Sequence, residues 1–265
     1  MGHGPTALRV VDAGEERFAE VAAAVLARAV AEVIAARGEA SVAFSGGSTV
    51  GPVFDALVDL ATAPPSPDVD VDWARVRVTQ VDERVVGPTH PDRNAAVLVH
   101  RLIEALPVRP ALVELLPVER VDPSGGGDWA EESGRRLAAT IGGDPVGAGE
   151  GPVLDVVQLG LGPDGHTASL VPGDPVLTQI DPVGLTAPYQ GHRRLTLTYP
   201  VLNAAGTRVW WVAGHQTGGG AAKGSAIAAL LEGDTSLPAG RIERADSIVV
   251  ADGPAPGARP TAGGR

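Results

Sequence analysis

The sequence predicts an α/β protein built on a doubly wound, mostly parallel, Rossmann-like sheet with helices on both faces. Along its 265 residues, short β-branched runs alternate with longer stretches in which apolar residues recur at helical spacing. Three of the apolar runs stop abruptly in glycine or charged residues, as buried parallel strands do at the edge of a sheet. We therefore expect one domain over residues 1–252, followed by a disordered Pro/Gly-rich tail at residues 253–265.

Each predicted element rests on its periodicity and on the residues that end it. Residues 15–37 place apolar side chains at helical spacing, and Gly38 supplies a typical helix C-cap. A strand at 41–44 runs into a glycine-rich loop, and Pro52 opens the helix that extends to residue 61. The later elements alternate in the same way: strand 76–81, helix 93–105, strand 112–115, helix 129–141, strands 154–159, 194–199 and 208–213, helix 221–231 and strand 248–250.

The composition excludes several classes of protein. A net charge of −11 argues against a nucleic-acid or anionic-membrane surface, because both require clustered positive charge. No apolar run approaches the length of about 18 residues that a membrane span needs. We therefore expect a cytoplasmic protein, a monomer or small homo-oligomer, that binds a small molecule and neither nucleic acid nor membrane.

The sequence gives no support for metal or disulfide chemistry. There is no cysteine, which excludes disulfides and thiolate metal sites. Apart from His166, the histidines show no paired ligand spacing: His3, His90, His100, His192 and His215. We therefore expect no metal.

The strongest functional signal lies in residues 160–170. There an apolar run stops in glycines, and Asp164 comes two residues before His166. Ligands of open α/β sheets bind at the carboxyl ends of the strands, and a histidine can take a proton from water if a carboxylate fixes its tautomer. The pattern favours His166 as a general base supported by Asp164.

Two other interpretations fit the same loop. The glycines within residues 160–165 have dinucleotide-binding spacing, and Asp181 lies at about the distance of a ribose-binding acid. Pro163 interrupts that loop and Pro172 would end the following helix early, which disfavours a dinucleotide. An ordinary Asp-Gly turn with a solvated histidine stays open.

A glycine-rich segment after the strand at 41–44 predicts a phosphate cradle. The segment is Ser45, Gly46, Gly47, Ser48 and Thr49. Its small residues allow backbone N–H groups to point at one place, and the N-terminus of the following helix favours an anion. Because it lacks the Gly-Lys-Ser/Thr ending of a nucleotide P-loop, a sugar phosphate is favoured over a nucleoside triphosphate. A plain tight turn is the alternative.

Charged residues follow the strand at 76–81 as well. Asp82, Glu83 and Arg84 are adjacent, so on an extended chain they splay to different sides and each needs its own partner. A solvated charge run would explain them too. Since the carboxyl ends of parallel strands meet at one edge, we expect these residues to converge with the two glycine-containing loops.

Together these segments resemble the 6-phosphogluconolactonases, within the larger group that includes the glucosamine-6-phosphate deaminases. The resemblance covers about residues 15–250 and rests on four segments: 45–49, 82–84 with 92–94, 160–173, and 195–205. It implies hydrolysis of 6-phospho-D-glucono-1,5-lactone to 6-phospho-D-gluconate in the oxidative pentose phosphate pathway. It also implies that neither a metal nor an organic cofactor takes part.

Matched by motif, the resemblance implies a role for each candidate residue. His166 is the base, Asp164 its supporting acid and Arg84 an active-site cation. The implied phosphate contacts are the loop from Gly46 to Thr49 and Lys223, the one lysine of the chain, although the loop at 214–220 is longer than is usual in the family. The predicted substrate contacts also include Asp82, Glu83 and an arginine. Arg193 and Arg194 are both candidates for that arginine, and we predict Arg194.

Two alternative functions remain at this point. A deaminase-like isomerase looks to need a glutamate five residues after His166, where this chain has Val171. A non-catalytic sugar-phosphate-binding effector domain would not need His166, and no basic helix-turn-helix segment precedes residue 15. Both features favour hydrolysis.

Overall fold

A computed structural model of the protein describes residues 7–64, 66, 69–142, 153–214 and 220–253, with side chains from residue 224 onward in the last range. In this part of the chain the strands are β1 (Arg9–Asp12), β2 (Ala40–Phe44), β3 (Val76–Gln80), β4 (Asp82–Arg84), β5 (Leu112–Glu114), β6 (Val156–Gly160), β7 (Val183–Leu185), β8 (Arg194–Leu197), β9 (Thr207–Val212) and β10 (Ser247–Ala251). The helices are α1 (Phe18–Arg37), α2 (Val50–Thr62), α3 (Asn94–Leu98), α4 (Trp129–Ile141), α5 (Tyr199–Ala204) and α6 (Gly220–Glu232). Most of the predicted tail lies outside the described residues.

The central sheet has seven strands in the order β1-β10-β9-β6-β2-β3-β5, and every neighbouring pair is parallel. From β2 the chain moves outward to β3 and β5, then returns to β6 on the other side of β2 and continues outward to β9 and β10. This reversal between β2 and β6 is a topological switch point, where open α/β sheets form their binding crevice. The predicted fold class is confirmed.

A second, three-stranded sheet in the order β4-β8-β7 is antiparallel. The strand predicted at 194–199 therefore exists in shortened form as β8 but does not belong to the parallel sheet, and residues 82–84 are a strand rather than a loop. Only Val81 separates β3 from β4, too little chain for the crossover that a parallel pairing requires. The small sheet supplies one wall of the site described below.

Helices cover both faces of the central sheet. One apolar cluster joins α1, α2 and the helical segment that begins with α3, and a second joins α4, α6 and the small sheet. Trp210 lies in the second cluster and Trp211 in the first, because successive residues of a strand point to opposite faces. On the α2 side, Phe54 packs edge-to-face against Phe44 and Trp211, with ring centroids 5.3 and 6.1 Å apart.

Helix boundaries follow the signals in the sequence with local exceptions. Helix α1 ends at Gly38, whose φ of +86° lets its N–H donate to the Ile34 carbonyl at 2.8 Å. Helix α4 has the predicted bounds, whereas the helix predicted at 93–105 is α3 followed by a π-helical turn, Val99–Ile103. None of the helices in the described part of the chain is both long and apolar enough to cross a membrane.

Candidate active site

A pocket of about 250 Å³ opens at the carboxyl ends of β2, β6 and β9, at the switch point of the sheet. The loop at 45–50 and the segment 160–163 form two sides, and Arg84 and Arg194 of the small sheet form a third. His166 also lines the pocket. The structure thus brings together side chains from all three polar segments that follow predicted strands.

His166, which lines this pocket, forms a hydrogen-bonded pair with Asp164. The Nδ1 atom of His166 lies 2.5 Å from Oδ1 of Asp164, and the same carboxylate oxygen accepts the backbone N–H of His166 at 3.2 Å. A Cβ at Gly162 would come within 2.2 Å of the imidazole ring, so only glycine allows the ring to fold back against this turn. Because Nδ1 is bound to a carboxylate, Nε2 is the ring nitrogen left to exchange a proton.

The segment after Gly160 contains turns and no helix until a short 3₁₀ turn at Pro175–Thr178. The N–H of Gly165 donates to the Gly162 carbonyl at 3.0 Å, and the N–H of Gly162 donates to the His166 carbonyl at 2.8 Å. Dinucleotide binding of the Rossmann type requires a helix that begins at such a loop. The alternative interpretation of these glycines is therefore wrong.

Tyr189 completes the environment of Asp164, and sequence reasoning missed it. Its hydroxyl donates to Oδ2 of Asp164 at 3.1 Å, and its ring meets the ring of His166 edge-to-face with centroids 5.7 Å apart. Burial raises the pKa of Asp164, but the charge of His166 and the hydrogen bonds from His166 and Tyr189 outweigh it, so the pKa lies below its ordinary value. Burial and the charge of Asp164 raise the pKa of Tyr189, which keeps its hydroxyl a donor.

A two-residue turn presents Tyr189. Tyr189 and His192 exchange backbone hydrogen bonds of 2.9 and 3.2 Å, and between them Gln190 and Gly191 have φ values of +51° and +86°. Two positive φ values in succession define the type I′ turn, whose twist matches that of a hairpin. The Gln-Gly pair was the signal in the sequence, but it is weaker than the Asn-Gly pair that usually marks such a turn.

Two arginines face the pocket from adjacent strands. Arg84 and Arg194 are direct partners in the antiparallel pairing of β4 with β8, and the Nε atoms of both are buried without a hydrogen-bond partner. Burial lowers the pKa of Arg194, and the neighbouring charge of Arg84 lowers it further. Like charges placed directly opposite across strands are destabilising, and the carboxylates of Asp82 and Asp92 counter the fall in the pKa of Arg194 only in part. The pair has the electrostatics of an anion site.

Neighbouring groups hold these two arginines in place. Nη1 of Arg84 donates to the carbonyl of Asp92 and to Oδ1 of Asn94, both at 2.8 Å. Cζ of Arg194 lies 5.0 Å from the ring centroid of Tyr189, in a cation–π contact.

Arg193, the other candidate for the phosphate, points to the opposite side and lies against Gly125.

Asp82 and Glu83 have different positions. Asp82 lines the pocket, and its Oδ2 accepts the hydroxyl of Ser169 at 2.6 Å. Glu83 does not line the pocket, which contradicts its predicted substrate contact. Its fully buried carboxylate accepts the backbone N–H groups of Arg84, Asn94 and Ala95 at 2.7–2.8 Å. It faces away from Arg84's side chain because neighbours on a strand alternate, so it anchors the start of α3.

The loop from Gly46 to Thr49 lines the pocket as a stretch of backbone. A Cβ at Gly46 would lie 1.9 Å from Oδ1 of Asn94, and Gly47 has a φ of +113°, so both positions require glycine. Among the described residues no acceptor pairs with the N–H groups of Gly46, Gly47 or Ser48, and Thr49 makes no side-chain cap to α2. These N–H groups and the helix dipole favour an anion.

Lys223 lies within α6, and its side chain is outside the described residues. Its predicted phosphate contact stays a prediction. Ala168, two residues after His166, lines the pocket with a φ of +53°. This conformation costs a residue with a Cβ about 1–3 kcal/mol and clusters at functional sites.

Comparison with known proteins gives relatives along most of the chain. The family described as "Glucosamine-6-phosphate isomerases/6-phosphogluconolactonase" matches residues 13–250. The chain is 33% identical over 248 residues to 6-phosphogluconolactonase of Rattus norvegicus, covering 90% of this chain and 87% of the relative. It is 34% identical over 185 residues to 6-phosphogluconolactonase of Synechocystis, covering 70% and 71%.

Solved structures share the fold at lower identity. 6-Phosphogluconolactonase of Thermotoga maritima superposes with a TM-score of 0.72 at 19% identity, covering 93% of this chain and 98% of that one. A monomeric glucosamine-6-phosphate deaminase gives a TM-score of 0.70 at 15% identity, covering 92% and 97%. Both activities occur on this fold, so the fold does not choose between them.

Proposed function

The chain belongs to the glucosamine-6-phosphate isomerase/6-phosphogluconolactonase family, and we propose that it hydrolyses 6-phospho-D-glucono-1,5-lactone to 6-phospho-D-gluconate in the oxidative pentose phosphate pathway. One observation carries the assignment: a carboxylate-supported histidine and a pair of buried arginines line the same pocket. Such a pocket can hold a phosphorylated substrate at one end and activate water at the other.

We propose that the substrate phosphate binds between the loop from Gly46 to Thr49 and Arg194. The uncapped N–H groups of the loop and the N-terminus of α2 support this position, as does the partner-free Nε of Arg194. Lys223 is a further proposed contact. In a protein of net charge −11, these groups supply the local positive charge that an anionic substrate requires.

The proposed reaction is a general base hydrolysis. Nε2 of His166 takes a proton from water as its oxygen attacks C1 of the lactone, while the Asp164 carboxylate stabilises the imidazolium through Nδ1–H. Arg84 faces the oxyanion that develops on the C1 carbonyl. The bond from C1 to the ring oxygen then breaks, and His166 returns the proton to that oxygen, which becomes the C5 hydroxyl of the product acid.

Tyr189 positions the base in this scheme without touching the reacting atoms. By holding Oδ2 of Asp164, it leaves Oδ1 to accept from Nδ1 of His166. The same ring stacks on Arg194, so one side chain contacts both the proposed proton-transfer pair and the proposed phosphate group. This arrangement supports a fixed distance between the two functions.

The residue at position 171 bears on the deaminase alternative. Val171 is buried and apolar at the position where the isomerising enzymes look to need a carboxylate.

We also propose that the reaction takes place in the cytoplasm, because a phosphorylated lactone is charged and does not cross a bilayer unaided.

A coupled assay tests the proposed function. The lactone is generated in situ, and acid release is followed with active protein and with heat-denatured protein. We expect turnover far above spontaneous hydrolysis and no ammonia release from glucosamine 6-phosphate. Ammonia release without lactone hydrolysis would support the isomerase instead, and saturable sugar-phosphate binding without any turnover would support an effector domain.

A further inference from the structure

Three side chains with metal-ligand chemistry meet beside the pocket, although none of them lines it. Nε2 of His192 lies 3.1 Å from Oδ2 of Asp92, and Nδ1 of His90 lies 3.8 Å from the same oxygen. One ligand atom from each residue lies within 4.8 Å of the others. The group adjoins the proposed active site, because the Asp92 carbonyl accepts from Arg84 at 2.8 Å and His192 belongs to the Tyr189 turn.

We propose that His90, Asp92 and His192 bind a divalent transition-metal ion such as Zn²⁺. Two imidazoles and one carboxylate are ligands that zinc accepts, and three protein ligands leave a fourth position for water or another ligand. Ligand atoms about 2.0–2.1 Å from a tetrahedral ion lie about 3.3 Å from one another. The observed separations of 3.1 and 3.8 Å fall on either side of that value.

The backbone already holds two of the ligands near their places. His192 is fixed by its backbone pairing with Tyr189 across the type I′ turn. Asp92 is fixed through its carbonyl, and its carboxylate already lies 3.1 Å from Nε2 of His192. His90 would lose only one hydrogen bond on binding the ion, because its Nδ1 accepts only the Asp92 N–H, at 3.1 Å.

A bound ion would join the loop that carries Asp92 to the turn that carries Tyr189. Both elements contact the arginine pair of the pocket, Asp92 through Arg84 and Tyr189 through Arg194. The ion would therefore lie beside the anion site rather than in the place of His166. This inference does not rest on the proposed function, since binding is measured without substrate.

Titration of the metal-free full-length protein with Co²⁺ tests the site through the visible absorption of the bound ion, with Zn²⁺ as competitor. We expect one equivalent to bind, and His90→Ala and His192→Ala each to weaken binding at least about tenfold, since even outer partners of a metal ligand contribute 10–100-fold. His100→Ala is the matched control, because His100 is exposed and pairs with Glu104 away from this group. Circular dichroism verifies that each variant folds.

His166→Ala separates this site from the other histidine–aspartate pair. We expect that variant to bind Co²⁺ as the wild type does. Absence of saturable Co²⁺ binding in the wild type would overturn the proposal. So would undiminished binding by His90→Ala and His192→Ala, or a loss confined to His166→Ala.

Discussion

Replacement of Arg194 by methionine tests the anion site most sharply. Methionine preserves most of the apolar volume and removes the charge from a residue that is only 4% exposed. A hydrogen bond between charged partners contributes about 1.5–3 kcal/mol. At about 1.4 kcal/mol for each factor of ten, Arg194→Met should raise KM for the phosphorylated lactone about 10- to 150-fold.

The substitution should have little effect on the free energy of unfolding, because it removes a buried charge that faces the like charge of Arg84. Kinetics with 6-phosphogluconolactone and with unphosphorylated glucono-1,5-lactone separate the effect on phosphate binding from any general damage. We expect the unphosphorylated lactone to be hydrolysed as slowly by the variant as by the wild type.

Arg193→Met is the matched control for this experiment. Arg193 is the preceding residue, of the same type, and it lies against Gly125 outside the pocket. We expect its KM to equal that of the wild type. An unchanged KM in Arg194→Met, or an equal rise in both variants, would refute the assignment of Arg194 to the phosphate.

Three other substitutions examine separate parts of the site. Tyr189→Phe retains the ring against Arg194 but loses the bond to Asp164, so kcat should fall by up to about tenfold at constant KM; a change confined to KM would contradict the positioning role. Glu83→Gln should lower the free energy of unfolding by about 3–5 kcal/mol, because it removes the charge of a fully buried carboxylate beside Arg93. Urea denaturation measures this loss, and wild-type stability with lost activity would point to a substrate contact instead. Lys223→Ala should raise KM for the phosphorylated lactone only, by the factor that about 1.5–3 kcal/mol gives, with partial rescue by Lys223→Arg; an unaltered KM would leave the phosphate to Arg194 and the glycine loop.

Much of the fold follows from local patterns in the sequence. Gly38 marks the end of α1, and polar residues mark the ends of β2, β3 and β6. These strand ends meet at one edge of the sheet, as predicted. Parallel strands that are buried on both faces are continuous apolar runs, so a short stretch of sequence is enough to predict each of them.

The antiparallel sheet and the Tyr189 turn depend on pairings between distant residues. β4 and β8 pair although they lie far apart in the sequence, and such short strands carry too little periodicity to reveal a partner. Glu83 shows the same limit, since its position among charged neighbours suggested the pocket while its partners are backbone groups at the start of α3. Likewise Asp92 and His192 are 100 positions apart, so no spacing rule connects them.

The most direct measurement of the central claim is the pre-steady-state and steady-state hydrolysis of 6-phosphogluconolactone by His166→Ala. Nε2 of His166 is the proposed proton acceptor, and general base catalysis of this kind contributes about 10²–10⁴-fold. We predict a folded variant whose kcat falls by at least about 100-fold while KM stays near the wild-type value. Turnover near the wild-type rate by the folded variant would contradict the assignment of His166 as the base.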